Sequence, residues 1–372
     1  MHLNPKIKYA IYFLVFWFLF FLIWEWSVSY PKVRWNSVSF PETFEEEMDS
    51  ILVQSLSDFL IPGIAIGVVQ EGKVTYLKAI GYQNLETKDT FDLQTEIPVA
   101  SVSKIFTALC VANYFSKKEI PVSSTLQEIL PANSQIPQFL LPITLEQLLR
   151  HQSGLKDAGF LPRLFRRKSK QGLEDLLQQI HSPEAQTEGT QYADINFDLL
   201  GLILQLHAQT PFESLIKSST LQKAGMGNSY FTKTWPEPEN PMVGNGKTFF
   251  WKRIEPKVMQ LERFPSPSSG LLTSPEDLSM ALIHLSRGNL SDLQTEMAWL
   301  RGGKEDPAGF QKISIEGTDF LGHYGGQAGY SSLFAFSEEQ KSGFFILTNA
   351  RDFSDHRKKI AQSILQTLQS QK

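Results

Sequence analysis

"PVASVSKIFTALC", residues 98–110, sets a serine and a lysine three residues apart at the head of an apolar helix. Ser101 opens the helix and Lys104 follows one turn later. Ile105, Phe106, Ala108, Leu109, Cys110, Val111 and Ala112 then make it apolar nearly all round, the pattern of a buried helix. Burial disfavours an ammonium charge. The helix dipole puts partial positive charge at the same end. A lysine placed against both effects reads as one held there to lose its proton. Residues three apart share a helix face. A serine at a helix N-terminus also has an unpaired backbone N–H. One turn therefore offers a nucleophile, a base and half of an oxyanion hole. Taken alone, the same S-x-x-K spacing fits a serine N-cap followed by a surface lysine.

Outward from this helix the chain changes character. Residues 64–82, "IAIGVVQEGKVTYLKAIGY", read as two strands joined at Glu71-Gly72. Before them, Phe44, Met48, Ile51, Leu52, Leu56 and Phe59 keep a helical period behind an acidic first turn. Residues 105–220 carry mainly helical signals. Residues 231–270 hold six prolines and read as a long irregular connection. Strands broken by glycines return over 319–350, and a helix over 355–368 ends the pattern. Strands at both ends with helices between predict an α+β architecture: an antiparallel sheet built from both chain ends, flanked by helices, with an inserted mainly helical subdomain. The expected domain covers 40–370, with its sheet from about 62–82 and 308–350 and its helical region over about 100–300.

Residues 9–24, "YAIYFLVFWFLFFLIW", contain no charge, and Lys6 and Lys8 precede them. As a helix they reach about 24 Å, short of a bilayer core of about 30 Å. Trp24, Trp26 and Tyr30 follow as an interfacial belt would. Residues 1–34 are read as a single-pass membrane anchor and linker, with the following domain extracytoplasmic. The alternative is a signal peptide cleaved after Ser29. The run is long and aromatic for a signal h-region, which favours the anchor.

The 372 residues carry a net charge of −4 and a pI near 6.0, so nucleic acid is not an expected partner. The basic run "RLFRRKSK", residues 163–170, reads as a solvated loop, with lipid contact as the minor alternative. Cys110 is the single cysteine. It forbids an intrachain disulfide and sits where a small hydrophobe would. The seven histidines form no H-E-x-x-H pattern or Cys/His cluster, so neither a metal nor another cofactor is expected.

Further segments match in order. "IPGIAIGVVQEGKVTY", "PVASVSKIFTA", "ITLEQLLRHQSGL" (143–155), "YADINFDLLG" (192–201), "SPSSGLLTSPEDL" (266–278), "GHYGGQAGYSS" (322–332) and "FFILTNA" together resemble the serine β-lactamase and penicillin-binding-protein superfamily. The similar branch holds class C β-lactamases, DD-peptidases and related esterases. The resemblance implies Ser101 as acylated nucleophile, Lys104 as base or proton relay, and Tyr192 as the proton carrier over the serine. It also implies an oxyanion hole from the N–H groups of Ser101 and Gly326. Asp194, His323, Gly325 and Gly326 fall at substrate-binding positions. The glycine pair suits close approach of a substrate backbone in its own right.

Two positions depart from the pattern. Asp194 stands where the family's Tyr-x-Asn has its amide, and a carboxylate cannot donate. Beside Lys104 it would also raise the lysine pKa, against a base role. His323-Tyr324-Gly325 stands for Lys-Thr-Gly, and a neutral histidine attracts a carboxylate weakly. Asn196 is a candidate to supply the missing amide, His151 a buried satisfied histidine, and Asp277 a residue of a helix start. The implied function is a serine hydrolase working through an acyl-enzyme on a small-molecule or peptide substrate. An ester, D-amino-acid peptide or β-lactam would fit, with esters and peptides favoured by the two departures. The competing reading is a non-catalytic binding or scaffold protein that keeps the fold.

Overall fold

The computed structural model describes residues 5–36, 40–131, 134–157, 172–178, 180, 189–232, 242–257, 265–288, 291–352 and 354–371. The basic run 163–170 lies outside them.

A seven-stranded sheet positions everything else. Its strands are β1 (Gly63–Gln70), β2 (Lys73–Asn84), β3 (Asp89–Thr90), β9 (Gln311–Ile315), β10 (Thr318–Gln327), β11 (Tyr330–Ser337) and β12 (Ser342–Thr348). The order is β3-β2-β1-β12-β11-β10-β9, antiparallel between neighbours. The central seam joins the first strand to the last, with Ile66 opposite Ile346. Two short ladders lie outside this sheet. One joins β4 (Ile97–Pro98), β5 (Tyr230–Phe231) and β8 (Leu271–Thr273), and the other pairs β6 (Gly244–Lys247) with β7 (Ile254–Lys257).

Both sheet faces are covered, which explains why β12 reads "GFFILT" without alternation. Ile64, Ile66, Val68, Leu333, Phe344 and Ile346 meet helix α2 (Phe44–Phe59) and the C-terminal helix (His356–Ser370) on one face. Ala65, Val69, Phe334, Phe336, Phe345 and Leu347 meet the inserted helices on the other. Of these helices, α3 (Ser103–Ser116), α4 (Leu126–Ile129), α5 (Leu145–Leu149), α6 (Asp194–Ala208), α7 (Phe212–Ile216), α8 (Pro275–Arg287) and α9 (Ser291–Arg301) precede the terminal helix, α10. Thr43 starts α2 with a capping box to Glu46, and the left-handed Leu60 ends it.

Two local expectations are corrected. The proline-rich connection is not wholly irregular, because β6 and β7 form a ribbon inside it. "GNGK" lacks the β-branched alternation that marks a strand; its strand is held from outside instead. Asn245 donates its side-chain amide to the carbonyls of Val243 and Asn349, and its backbone N–H to Gly329. The N-terminal apolar segment is also longer than its uncharged core: α1 runs Pro5–Ser27. Its 23 residues reach about 34 Å, enough for a bilayer core of about 30 Å. It is long and apolar enough to cross a membrane, and none of its most apolar window is buried against protein.

Candidate active site

The nucleophile motif straddles a junction. Ser101 lies in a single 3-10 turn, Ala100–Val102, and α3 begins only at Ser103. Ala100 has φ +48, a left-handed conformation that costs on the order of 1–3 kcal/mol for such residues. The turn is held from several sides. Ser103 Oγ donates to Ala100 O at 2.6 Å and accepts from Leu271 N–H at 3.0 Å. Ser332 Oγ donates to Val99 O at 2.7 Å.

Lys104 is fully buried, and each ammonium proton has an acceptor. Nζ lies 2.7 Å from Asp194 Oδ1, 3.0 Å from Ser268 O and 3.2 Å from Ser101 Oγ. Burial pulls the lysine pKa down, but Asp194 and the Tyr192 phenol outweigh it, so the pKa lies above its ordinary value. The reading of Lys104 as a lysine sited to be deprotonated is therefore corrected for the resting site. It is an ammonium that donates to Ser101.

Tyr192 stands at the centre of this group with its side about half exposed. Lys104 Nζ is 5.0 Å from its ring centroid, the His151 ring 4.4 Å and the His323 ring 6.1 Å. The segment "HQSGL" sets its place. His151 has φ +56, accepts Gln191 N–H at its carbonyl and Ala193 N–H at Nδ1, and lies against the Tyr192 ring. It is buried and satisfied, as expected. Burial and then Lys104 push its pKa down to about 4, so it is neutral at pH 7.

Asn196 does not supply the missing amide. It is buried, its side chain bonded to Ser153 Oγ and His151 Nδ1. Two residues beyond Asp194, it lies on another face of α6. Asp157, which the sequence reading passed over, sets the start of that helix. Ala193 provides no side-chain cap, and the Asp157 carboxylate accepts the N–H groups of Asp194 and Ile195 at 2.9 and 3.0 Å. An acidic residue just after a glycine turn was the available signal. Asp277 accepts from Asn228 N–H and Ser229 Oγ, while Ser274 is the residue that caps α8.

Strand β10 closes the opposite wall. Its pairing with β9 stops at Gly322, so His323 to Gln327 are paired through β11 alone. His323 is buried, and its Nδ1–H donates to Tyr324 O at 2.6 Å. Burial, then Lys104, push its pKa down to about 3. The ring is neutral, and Nε2 is left as an acceptor. Gly325 is required by packing: a Cβ there would lie 2.2 Å from Val99 O and 3.3 Å from Ser101 N. Gly326, in contrast, borders open space, with Arg357 Nη1 3.9 Å from the nearest Cβ position. That guanidinium is tied to Asp352 at 2.7 Å and to the carbonyls of Gly325 and Ser332.

Ser101 in the 3-10 turn, Lys104 on α3, Tyr192 just before α6, Asp194 at its first residue, and His323, Gly325 and Gly326 on β10 are thus gathered around one cleft. A family model described as Beta-lactamase matches residues 47–369. The chain belongs to the Beta-lactamase family. This β-lactamase-family chain is 24% identical over 330 residues to "Protein flp" of Staphylococcus aureus (strain N315), covering 82% of this chain and 63% of that relative. It therefore spans less than two thirds of the relative's length. Among solved structures, the octameric penicillin-binding protein homologue from Pyrococcus abyssi superposes with a TM-score of 0.71 at 22% identity, over 87% of this chain and 77% of that one. The D-amino acid amidase from Ochrobactrum anthropi SV3 gives 0.73 at 16% identity, over 88% and 99%. Both structures share the α+β fold with this β-lactamase-family member.

Proposed function

We propose that the protein is a membrane-anchored serine hydrolase that forms an acyl-enzyme on Ser101, acting on esters or amides rather than efficiently on β-lactams. The observation that carries this is Lys104 Nζ 3.2 Å from Ser101 Oγ, with the Tyr192 ring beside that Nζ and Gly325 packed close to Ser101 N. As Ser101 Oγ attacks the carbonyl carbon, its proton passes to Lys104 Nζ in the minor form where that amine is neutral, and the resulting ammonium reprotonates Tyr192 as the phenol gives up its own proton. The N–H groups of Ser101 and Gly326 receive the developing oxyanion. Tyr192 delivers the proton to the leaving group, and the same groups activate water for deacylation. The substrate preference rests on charge. His323 is neutral and the Arg357 guanidinium is already paired, so neither of these two presents a free cation to a substrate carboxylate at this wall. His323 Nε2 instead suits a substrate N–H or O–H donor.

A hydrolysis panel with the purified full chain tests this. Turnover of aryl esters or D-amino-acid amides above that of a chromogenic cephalosporin is expected. Failure to turn over any of them, with no covalent adduct at Ser101, would leave the non-catalytic reading in its place.

Asp194 gives a sharper prediction. Its carboxylate raises the Lys104 pKa, so Asp194→Asn must lower it, and more lysine is neutral at a given pH. The basic-going rise in activity is expected to move to lower pH. Asp194 keeps a side chain that is 40% exposed, so screening makes the shift smaller than for a sealed pair. The restored donor should help amide substrates more than esters. A limb that stays fixed or moves to higher pH would uncouple Asp194 from the proton acceptor.

A further inference from the structure

The loop between β6 and β7 carries Phe249, Phe250 and Trp251, which are 70%, 46% and 45% exposed. Three consecutive large aromatics at a ribbon tip are poorly placed in water. They are not isolated: the tip is fastened to the end of α1. The Glu25 carboxylate, 3% exposed, accepts the backbone N–H groups of Phe249, Phe250 and Trp251. Trp251 Nε1 donates to Leu22 O at 2.9 Å. The Phe250 ring lies 5.1 Å from Phe18 and 6.0 Å from Phe21, and Trp251 meets Trp26 edge-on at 5.3 Å. At the base of the tip, Arg253 stacks on Trp26 at 3.9 Å and bonds Ser29 through Nε and Nη2.

These contacts fix the level of the tip. Phe18 is nine residues before the helix end, about 13 Å along its axis. Phe250 therefore sits beside the apolar stretch of α1, not beyond it. Neither partner suits an apolar medium alone. A lone carboxylate in such a helix is costly, and so are three unpaired N–H groups at a turn. Joined, each satisfies the other, and the outward surface that remains is Phe249, Phe250 and Trp251. Lys252 Nζ lies 5.3 Å from the Phe249 ring and Arg253 is held at the base on Trp26 and Ser29, cations beside aromatic rings as at a headgroup level.

We propose that the 249–251 tip is a second membrane-contact element, inserted in the lipid interface beside α1 and latched to it by Glu25. The proposal rests on the reading of α1 as a retained anchor. Cleavage after Ser29 would remove the latch.

The test uses the full chain in phosphatidylcholine/phosphatidylglycerol vesicles, with an environment-sensitive fluorophore on one introduced cysteine: Phe13→Cys, Phe249→Cys or Gln340→Cys. The native Cys110 is buried. Labels at 13 and 249 are expected to lose most of their emission to brominated lipid and to resist iodide, while the label at 340 does the opposite. Adding Glu25→Ala should return the 249 label to iodide. If the 13 label is in lipid and the 249 label is in water, the tip proposal is overturned while the anchor stands. If both are in water, the anchor falls and the tip with it. A 249 label shielded from both quenchers would place protein on the tip, also overturning the lipid assignment. An unchanged 249 label in the Glu25→Ala chain would overturn the latch.

Discussion

Replacing Ser101 by alanine is expected to abolish both hydrolysis and labelling by a serine-directed phosphonate. The turn that holds residue 101 is fixed by Val99, Ser103 and Ser332, none of which the substitution touches. Loss of Oγ removes the acyl-enzyme and leaves Lys104 two of its three acceptors. What survives is binding and oxyanion stabilisation, which in triad enzymes is on the order of 10³–10⁴ over water. Other serines are poor alternatives, each for a structural reason. Ser103 is buried and bonded on both sides, and Ser153 is bonded to Asn196. Ser331 even has a Ser-His-Asp line: Oγ is 2.9 Å from His356 Nε2, and His356 Nδ1 is 3.3 Å from Asp352. Both Ser331 and His356 are sealed from solvent, and Ser331 Oγ also donates to Ala350 O. Peptide mass spectrometry that finds the adduct on Ser103, Ser153 or Ser331 would refute the assignment.

Tyr192→Phe should lower turnover by about 10²–10⁴, the usual range for a general acid–base group. The ring keeps its place between His151 and Lys104, so the melting temperature should hardly change. A pH profile separates chemistry from packing. Tyr192, like Asp194, raises the Lys104 pKa, so its removal should shift the activity limb to lower pH, by less than Asp194→Asn. Near-normal turnover would remove Tyr192 from the mechanism.

The sheet from both chain ends and the helical insertion were legible because hydrophobic period changes sharply along the chain. That strands 63–84 and 311–348 belong to one sheet follows from that pattern plus the turn at Glu71-Gly72, whereas their order, with β1 beside β12, comes from the structure alone. The β6–β7 ribbon was not legible, since its strands are fixed by Asn245 and Asn349 rather than by their own side chains. At the site, the Lys104–Asp194 conflict could be read from charge alone. That this charge would outweigh the burial of Lys104 could not, because it also takes the Tyr192 side chain closing on Nζ beside Asp194. The place of Asn196 was not legible for a related reason: whether an amide faces substrate or core depends on Ser153 and His151, which no local pattern reveals.

The ribbon is rooted beside the reactive strand. Asn245 N–H bonds Gly329 O, and Tyr330 Oη bonds Met242 O, at the turn that follows Gly326 by three residues. If helix and tip both seat in lipid, as proposed above, the domain that carries Ser101 loses the free swivel of a body on one tether. Its cleft is then held at a set height and pitch above the bilayer. Selection among substrates becomes partly a matter of reach: a scissile bond must be displayed at that height to be cut, whatever its chemistry.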